Sequence, residues 1–494
     1  MKFCSVPPGP SKGPRRNQWT PFRILRRILL LYLLYFALGA TLPFVAHPTV
    51  SDAFQAAWDP AVFRQSGSTD RALLVTDNQA ALDIRLRMIG EAQERILLSS
   101  FDIRDCESGR DVFAALLEAA DRGVEIQILW DGLSGLLQGH APIFRALGRL
   151  PNVEIRLYNP PSLLRPWTVH GRLHDKYLLI DDQLLLLGGR NTFDLFLGDY
   201  VPDSAKSHDQ DVLVYNTAAG TPLSDGHTVL TQVEDYFYLV WDGGHTRPIL
   251  ERQPLLPGQT DRAAASLRER YAALDAGNPA LFDPAPLDYQ GLTLPVDHVQ
   301  LLSNPTGIMS KEPWVWWQMQ QLMEGAQGRV FLQTPYAVLN EAMYQGLERV
   351  AALGIPFDLQ LNSVAVGDNV MASSDYLIQK DRLLDTGAAV WEWFGDYSSH
   401  GKSALIDDLS MVGSFNLDMR STYLDTELML VFYGGDFQSA LEEYLLSTQE
   451  HTLLALPEGG YAPKDGVAVQ QVTGLKALLF PITSVVFQLF RYLL

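Results

Sequence analysis

Cysteine is scarce in this chain, whose 494 residues include two, Cys4 and Cys106. Structural zinc sites are usually built on CxxC pairs and many catalytic ones on HExxH, and the sequence contains neither pattern. With Cys106 as the one cysteine beyond the N-terminal tail, we also expect no disulfide within the chain. The sequence therefore predicts neither a zinc site nor a fold held by disulfides.

Basic residues are also in short supply, with 38 Lys and Arg against 57 Asp and Glu and a formal net charge of −19. Seven of the basic residues and no acidic one lie in residues 1–27, which leaves a formal charge of −26 for the rest of the chain. Proteins that bind a nucleic-acid backbone need a basic surface. The charge balance disfavours a nuclease, and no nucleic-acid partner is expected.

One stretch near the N-terminus lacks charge altogether. Residues 28–46 would form a helix about 28 Å long, which is close to the thickness of the hydrocarbon layer. We predict one transmembrane helix here, a basic cytoplasmic tail at 1–27, and a body on the extracytoplasmic side of the cell membrane. The alternative is a signal peptide cleaved near Ala37-Leu-Gly39, which would deliver the body to the same side.

A second apolar segment ends the chain. Residues 472–494 are strongly apolar, with Lys476 and Arg491 near the ends and Pro481 within. This composition favours a segment that lies in the membrane interface, although an apolar stripe also suits a helix packed on the body. Residues 242–298 are rich in Pro, Gly, Ala and charge, and they are interpreted as a partly ordered linker.

Between these segments the chain repeats itself. An HxK triplet, an Asp five residues after the Lys and a GxxN quartet follow one another in residues 174–191 and again in 400–416. The flanks repeat as well, since Ala92-Gln-Glu-Arg-Ile96 recurs as Ala326-Gln-Gly-Arg-Val330 before an apolar strand. The paired residues are His174 and His400, Lys176 and Lys402, Asp181 and Asp407, and Asn191 and Asn416.

Both repeats alternate segments typical of strands and helices. In each, a helical stretch ends at a glycine, Gly123 or Gly354, before the next strand. The alternation predicts an α/β fold with two pseudo-symmetric halves, residues 70–241 and 299–450, each a mixed or mainly parallel sheet flanked by helices. Each HxK cassette is predicted to open a β-hairpin that ends at GxxN.

The side chains of the cassettes suit chemistry on a phosphodiester. His and Lys two residues apart project from the same face of a strand, so both can meet one phosphate. One neutral imidazole can attack phosphorus and form a phosphohistidine, while the other, protonated, donates to the leaving oxygen. Cations and amides stabilise the charge of the transition state. The residues alone leave open which histidine takes which role.

These residues resemble the HKD motifs of the phospholipase D superfamily, and within it the chain is most similar to bacterial cardiolipin synthases. The closer resemblance rests on four stretches, residues 115–131, 188–191, 210–212 and 416–427. One departure is Gly189, which stands where the second cassette has Ser414. The resemblance implies a phosphatidyltransferase that acts on phosphatidylglycerol and a second phospholipid without a metal or cofactor. A phospholipase D-type hydrolase and, less favoured, an endonuclease are the alternatives.

The resemblance also implies a role for each residue. His174 would be the nucleophile and His400 the acid, and the groups expected to bind phosphate oxygens are Lys176, Lys402, Asn191, Asn416 and Ser414. Asp211 and Glu427 occupy matching places and are expected to hold the two imidazoles in the right tautomer. Asp181 and Asp407 are counted with the catalytic residues of the motif. Each precedes a turn, where Asp is favoured for local reasons, so we prefer a structural role for both.

Overall fold

The computed structural model describes residues 21–221, 228–249 and 258–494. Residues 1–20, with Cys4 and most of the basic tail expected at 1–27, lie outside the described residues, as do residues 250–257 of the segment interpreted as a linker. The helices are α1 (Pro21–Thr41), α2 (Asp52–Ala56), α3 (Asn78–Glu91), α4 (Glu107–Asp121), α5 (Gly132–Gln138), α6 (Pro142–Gly148), α7 (Val229–Trp241), α8 (Gln259–Gly277), α9 (Tyr289–Leu292), α10 (Trp314–Glu324), α11 (Glu341–Ala351), α12 (Val370–Leu384), α13 (Met419–Tyr423), α14 (Gly435–Gln449) and α15 (Gly474–Gln488).

The strands of the described ranges are β1 (Asp70–Val75), β2 (Arg95–Ser100), β3 (Glu125–Asp131), β4 (Val153–Tyr158), β5 (Tyr177–Ile180), β6 (Leu184–Gly188), β7 (Ser207–His208), β8 (Asp211–Asn216), β9 (Thr246–Pro248), β10 (Leu294–Pro295), β11 (His298–Ser303), β12 (Val330–Gln333), β13 (Ala337–Val338), β14 (Phe357–Asn362), β15 (Ala389–Trp393), β16 (Ser398–Ser399), β17 (Ser403–Ile406), β18 (Leu409–Gly413), β19 (Leu417–Asp418), β20 (Leu428–Tyr433) and β21 (Thr452–Leu454). Short 3₁₀ helices lie at Leu42–Phe44, Pro60–Arg64, Pro166–Val169, Asp203–Ala205 and Arg491–Leu493.

Each half contributes one mixed sheet. The strand order is β10-β1-β8-β6-β5-β2-β3-β4-β9 in the first sheet and β11-β20-β18-β17-β12-β14-β15-β21 in the second. Strands β2, β3 and β4 run parallel, as do β12, β14 and β15, and the other neighbours are antiparallel. The prediction of two α/β halves with mixed sheets is confirmed. Parallel pairing is limited to three strands per sheet because the cassette hairpins, β5–β6 and β17–β18, lie antiparallel to them.

The two sheets pack face to face. Leu97 and Leu179 of the first sheet share a core with Leu405 and Val412 of the second, and α7 and α14 close this layer at its sides. Helices α3, α4 and α6 cover the outer face of the first sheet, and α10, α11 and α12 cover that of the second. The hydrophobic effect therefore holds the halves together, at roughly 1.5–3 kcal/mol for each fully buried Leu or Val.

The predicted turns after α4 and α11 are glycines with positive φ. Gly123 has φ 99° and Gly354 has φ 72°. These values lie in the left-handed region, where a residue without Cβ is favoured and a helix can turn into the next strand. At the other end, the Asn340 side chain accepts the N–H of Met343 and caps α11. Local sequence signals thus set the helix and strand boundaries on both sides of the sheets.

The segment interpreted as a linker belongs to the first half over much of its length. Helix α8 packs on α4, where Arg268 pairs with Asp121 at 2.8 Å and Arg270 with Asp111 at 2.5 Å. Strand β9 extends one edge of the first sheet and β10 the other. The interpretation of 242–298 as a linker is therefore incomplete, since α8 covers the first half.

Helix α1 starts seven residues before the predicted transmembrane stretch. The segment Pro21–Phe44 is long and apolar enough to cross a bilayer, and almost all of the α1 side chains are at least partly exposed. Near the other terminus, α15 packs one side on α12, where Ser374 and Thr483 are hydrogen-bonded at 2.6 Å. Its other side exposes apolar side chains that include Leu478, Ile482 and Val485.

Candidate active site

The two HxK cassettes meet at the boundary between the halves. Each histidine lies just before its hairpin, at the edge of the sheets where β2 and β12 end. Leu173 forms an isolated bridge with Thr426 of the second half, and β16, just before His400, pairs with β7 of the first half. The N–H of His174 donates to the Thr426 hydroxyl at 3.1 Å, and that of His400 donates to the His208 carbonyl at 2.7 Å. Each cassette is therefore positioned by the opposite half.

Each imidazole is held by a carboxylate from the opposite half. Nδ1 of His174 is 2.8 Å from Oε1 of Glu427, and Nδ1 of His400 is 2.5 Å from Oδ2 of Asp209. An Nδ1–H that donates to a carboxylate leaves Nε2 as the second ring nitrogen for chemistry. The crossed pairs therefore fix both rings in equivalent orientations around one site.

In the structure the carboxylate partner of His400 is Asp209, whereas the sequence predicts Asp211. The glycine that ends β6 pairs with Asp211, whereas the glycine that ends β18 pairs with Met429. Asp211 is thus equivalent to Met429, and Asp209, two residues earlier, is equivalent to Glu427. Side chains two residues apart share a face of a strand. The prediction of Asp211 is therefore correct for the face of the strand and wrong for the residue.

Asp211 forms a buried ion cluster instead. Its Oδ2 lies 2.9 Å from Arg85 and 3.2 Å from Arg190. Arg190 also donates to the carbonyl of Val75 at 2.9 Å. These contacts connect β8 to α3 and to the end of β1, so Asp211 supports the first half beneath the site without contacting either imidazole.

The two halves differ together at these two positions, with Gly189 and Asp209 in the first half and Ser and Glu at the matching places in the second. The hydroxyl of Ser414 donates to Oε2 of Glu427 at 2.5 Å. This hydroxyl is expected to bind a phosphate oxygen, and in the structure it binds the carboxylate instead. A Cβ at Gly189 would lie 2.3 and 2.4 Å from the oxygens of Asp209. The shorter Asp side chain brings its carboxylate close to the backbone, and the missing Cβ makes the space.

Both lysines of the cassettes are buried beside the imidazoles. Nζ of Lys176 donates to the carbonyl of His174 at 2.5 Å, and Nζ of Lys402 donates to Asp209 at 3.2 Å and to the carbonyl of His400. Burial lowers the pKa of Lys176 to about 7 and also lowers the pKa of Lys402. Two dehydrated cations in one site strongly favour an anion between them.

The side-chain amides of Asn191 and Asn416 have oxygen atoms without a partner in the described part of the chain. They follow the cassette hairpins directly, and their Oδ1 atoms are buried without a hydrogen-bond partner among the described residues. A buried amide left unpaired is costly. Because the two ends of an amide differ only in hydrogen bonding, either can be turned so that its NH₂ meets an anionic oxygen. Both amides are therefore available to a ligand.

The surroundings of the two imidazoles differ in charge. Burial, helped by the charge of Lys176, lowers the pKa of His174 well below its usual value, and burial raises the pKa of Glu427 to about 8. Burial also acts to raise the pKa of Asp209, but the charges of Lys402 and His400 outweigh it and hold that pKa below its usual value. The carboxylate beside His400 is therefore held in its ionised form, and burial favours the neutral form of the His174 ring.

Asp181 and Asp407 lie away from the site, at the far ends of β5 and β17. The carboxylate of Asp181 accepts the N–H groups of Gln93, Glu94 and Arg95 at 2.8–3.0 Å, and Asp407 makes the equivalent three bonds at 2.7–3.0 Å. Both residues have positive φ, 53° and 52°. Seven residues of extended chain separate each Asp from its histidine, roughly 20 Å. Counting these residues as catalytic is therefore wrong, and the preferred structural role fits their contacts.

Three further residues at the site carry no sequence signal of their own. Phe101 packs edge-on against His174 with ring centres 5.2 Å apart, and Phe196 against His400 at 5.1 Å. Nζ of Lys311 is buried and, within the described ranges, has no hydrogen-bond partner. Burial lowers its pKa to about 8 against the opposing charges of Asp425, Asp175 and Glu427. Lys311 is thus a buried cation beside Asp175, Asp425 and Glu427, the last of which holds His174.

The described part of the chain contains no group of three or more His, Cys, Asp or Glu side chains arranged to hold a metal ion. The carboxylates nearest the imidazoles are used as their hydrogen-bond partners.

The sequence of this chain is similar to those of known proteins. The sequence model of a family described as "Cardiolipin synthase, PLD-like domain" matches residues 86–194 and 319–448, one segment in each half. Cardiolipin synthase C of Escherichia coli (strain K12) is 25% identical over 405 residues, which are 75% of this chain and 82% of that protein. Cardiolipin synthase A of Pseudomonas aeruginosa (strain LESB58) is 25% identical over 400 residues, 79% of this chain and 69% of that protein.

A solved structure has the same fold. The crystal structure of phosphatidylserine synthase from Haemophilus influenzae Rd KW20 superimposes with a TM-score of 0.58 over 87% of this chain and 97% of that one, at 16% identity. The matched segments 86–194 and 319–448 contain one HxK cassette each. With its duplicated halves and paired cassettes, the chain belongs to the phospholipase D superfamily and is an enzyme similar to the cardiolipin synthases.

Proposed function

We propose that this chain is a phosphatidyltransferase of the cardiolipin synthase type, which moves a phosphatidyl group through a phosphohistidine on His174. The observation that carries the proposal is the crossed pair of imidazoles, with His174 held by Glu427 and His400 by Asp209. One site then has a neutral nucleophile, a cationic acid and two lysines for the phosphate. A phosphodiester is the substrate that uses all of these groups.

In the first step, Nε2 of His174 attacks phosphorus of the donor phospholipid. The bond from phosphorus to the headgroup oxygen breaks, and His400 donates its proton to that oxygen. Lys176, Lys402, Asn191 and Asn416 bind the non-bridging oxygens as charge accumulates. The headgroup alcohol leaves, and the phosphatidyl group stays on His174.

In the second step, a hydroxyl of the phosphatidylglycerol headgroup replaces the released alcohol. It gives its proton to His400 while its oxygen attacks phosphorus, and the bond from phosphorus to nitrogen breaks. The products are cardiolipin and the free enzyme with His400 protonated again. Water in place of the lipid hydroxyl would give phosphatidic acid, which is the reaction of the alternative, a hydrolase.

Two observations favour lipid transfer over the alternatives. The two relatives reported above are cardiolipin synthases. The edges of Phe101 and Phe196 also bring apolar surface against both imidazoles, which disfavours a water-filled site. The formal charge of −19 disfavours the endonuclease.

The long apolar helix α1 and the similarity to cardiolipin synthases indicate a membrane protein. We place α1 across the cell membrane with the basic tail in the cytoplasm, because basic residues flanking a span stay on that side. The catalytic halves, residues 70–241 and 299–450, then lie on the extracytoplasmic side. The exposed apolar side of α15 suits an interfacial segment at 472–494.

The test uses the full chain in vesicles of phosphatidylglycerol and phosphatidylethanolamine, with lipids analysed by mass spectrometry. A variant with His174→Ala and His400→Ala is the negative control, and His140→Ala, a histidine outside the site, is the matched control. We expect cardiolipin from the wild type and from His140→Ala and none from the double variant. Phosphatidic acid without cardiolipin would establish the hydrolase, and no lipid turnover would refute both.

A further inference from the structure

Two neighbouring leucines in the first half are almost fully exposed. Leu163 is 74% and Leu164 79% accessible to solvent. The loop that holds them, residues 160–168, is ordered by its own hydrogen bonds: the N–H of Ser162 donates to the Thr168 hydroxyl at 2.8 Å, and that hydroxyl donates to the carbonyl of Arg165 at 2.6 Å. An ordered loop that presents two leucines to water lacks an apolar partner worth roughly 1.5–3 kcal/mol for each side chain. We call residues 160–168 the leucine loop.

The leucine loop is attached to α1. Tyr32 donates its hydroxyl to the carbonyl of Leu163 at 2.9 Å, and Tyr35 donates to the carbonyl of Leu164 at 2.8 Å. One turn further along α1, a Cβ at Gly39 would lie 3.1 Å from the Pro166 ring, so the backbones approach closely there. One stripe of the helix therefore contacts the loop.

These contacts define the depth of the loop along the apolar segment Pro21–Phe44. Tyr35 lies nine residues before Phe44 and Tyr32 twelve, about 13 and 18 Å at 1.5 Å per residue. The hydrocarbon layer is about 30 Å thick. If Phe44 marks the end of the span, the loop reaches roughly the middle of the bilayer.

The hydrogen bonds suit a loop at that depth. Irregular backbone inside the hydrocarbon is tolerated only where its polar groups have partners within the protein. The carbonyls of Leu163 and Leu164 have such partners in Tyr32 and Tyr35. The two tyrosine hydroxyls would equally need acceptors in lipid, since an unpaired hydroxyl there costs several kcal/mol by water-to-alkane transfer.

We propose that the leucine loop inserts into the phospholipid leaflet that faces the catalytic halves, with Tyr32 and Tyr35 clamping it to α1. The inference rests on the proposed spanning role of α1. From the loop, the chain continues through Leu173 to His174, so the insertion sets the site at the level of the lipid headgroups. A phospholipid can then present its phosphodiester to His174 without leaving the leaflet.

The test measures the depth of a fluorescent probe on the full chain in phosphatidylglycerol and phosphatidylethanolamine vesicles. Cys4→Ser and Cys106→Ser give a cysteine-free background, and single cysteines at Leu163→Cys and Leu353→Cys carry an NBD label. Leu353 is also exposed, at 41%, but it lies in the turn between α11 and β14, at the opposite edge of the sheets. We expect lipids with spin-labelled acyl chains to quench the probe at 163, and aqueous iodide to quench the probe at 353.

Iodide quenching at 163 as strong as at 353 would overturn the insertion, and so would a probe at 163 that neither quencher reaches. Adding Tyr32→Phe and Tyr35→Phe should reduce the lipid quenching at 163, and an unchanged depth would overturn the clamp. Cardiolipin formation is measured in the same vesicles. Cardiolipin with an aqueous loop refutes the insertion alone, whereas an inserted loop without lipid turnover refutes the proposed function alone.

Discussion

Gly189→Ser should impair His400, although serine is the residue found at the matching place in the other half. A Cβ at this position would lie 2.3 and 2.4 Å from the Asp209 oxygens, under the 3.0 Å limit below which something must shift. Asp209 would have to retreat by roughly half an ångström or more because the close-packed interior offers no slack. The retreat stretches the 2.5 Å contact between Asp209 and Nδ1 of His400.

The size of the effect follows from what Asp209 does. Replacing the carboxylate that orients a catalytic imidazole can lower kcat by about 10⁴-fold, and a misplacement of about 1 Å can cost about 10²-fold. Asp209 is displaced here and keeps its charge, so we expect the smaller loss. Gly189→Ser should lower kcat about 10²-fold, or about 2.7 kcal/mol in activation free energy.

A double variant that copies the matching pair of residues from the second half should restore the activity. Gly189→Ser with Asp209→Glu rebuilds the pair formed by Ser414 and Glu427, whose hydrogen bond is 2.5 Å long, and it should recover most of the lost kcat. Ser414→Gly is the matched control, because it removes without a clash the hydroxyl that donates to Glu427 and accepts the N–H of Leu428. Loss of the bond to Glu427 should lower kcat only about fivefold, or by about 1 kcal/mol. The assay is cardiolipin formation in vesicles, with thermal unfolding to show that each variant is folded. Wild-type kcat in Gly189→Ser, or a double variant no better than the single one, would show that Asp209 is not displaced from His400.

Three further predictions concern residues around the site. Asp181→Asn weakens a carboxylate that accepts three backbone N–H groups and should lower the free energy of unfolding by about 1–3 kcal/mol; kcat of the folded protein should be unchanged, and a kcat loss without a stability loss would contradict this. Lys311→Met removes a buried ammonium that has no hydrogen-bond partner in the described ranges and should raise the melting temperature while it raises KM for an anionic lipid; a less stable variant with wild-type KM would count against it. The pKa of Lys176 is lowered to about 7 by burial, so the lysine loses its charge as the pH rises through 7, and kcat/KM, which reports on the free enzyme, should fall on the alkaline side. In Lys176→Arg, which stays charged, that fall should move to higher pH, and an identical profile would exclude Lys176 as its origin.

Local patterns in the sequence predict a large part of this fold. The HxK and GxxN spacing predicts the two cassette hairpins, and glycines such as Gly123 and Gly354 mark helix ends because only the turn chemistry of nearby residues is involved. The sequence pattern does not indicate helix α8, because its 19 residues, Gln259–Gly277, bury only Thr260 and Leu267. A helix with so little apolar surface gives a weak periodic signal.

The sequence of one strand does not identify the carboxylates that bind the two imidazoles. A shift of two residues keeps a side chain on the same face, so the pattern does not separate Asp211 from Asp209. The hydrogen-bond register of β6 with β8 decides it. The crossing of His174 to Glu427 depends on how the two halves pack, and this long-range contact leaves no trace in the spacing of either cassette.

The central claim is that a phosphatidyl group is held on His174 between donor and acceptor. The most direct measurement is rapid acid-free quenching of the full chain with phosphatidylglycerol vesicles, followed by digestion and mass spectrometry of the peptides that contain His174 and His400. We expect a phosphatidyl adduct on the His174 peptide, and we expect the adduct to disappear in His174→Ala together with cardiolipin formation. An adduct on the His400 peptide, or cardiolipin formed by His174→Ala, would contradict it.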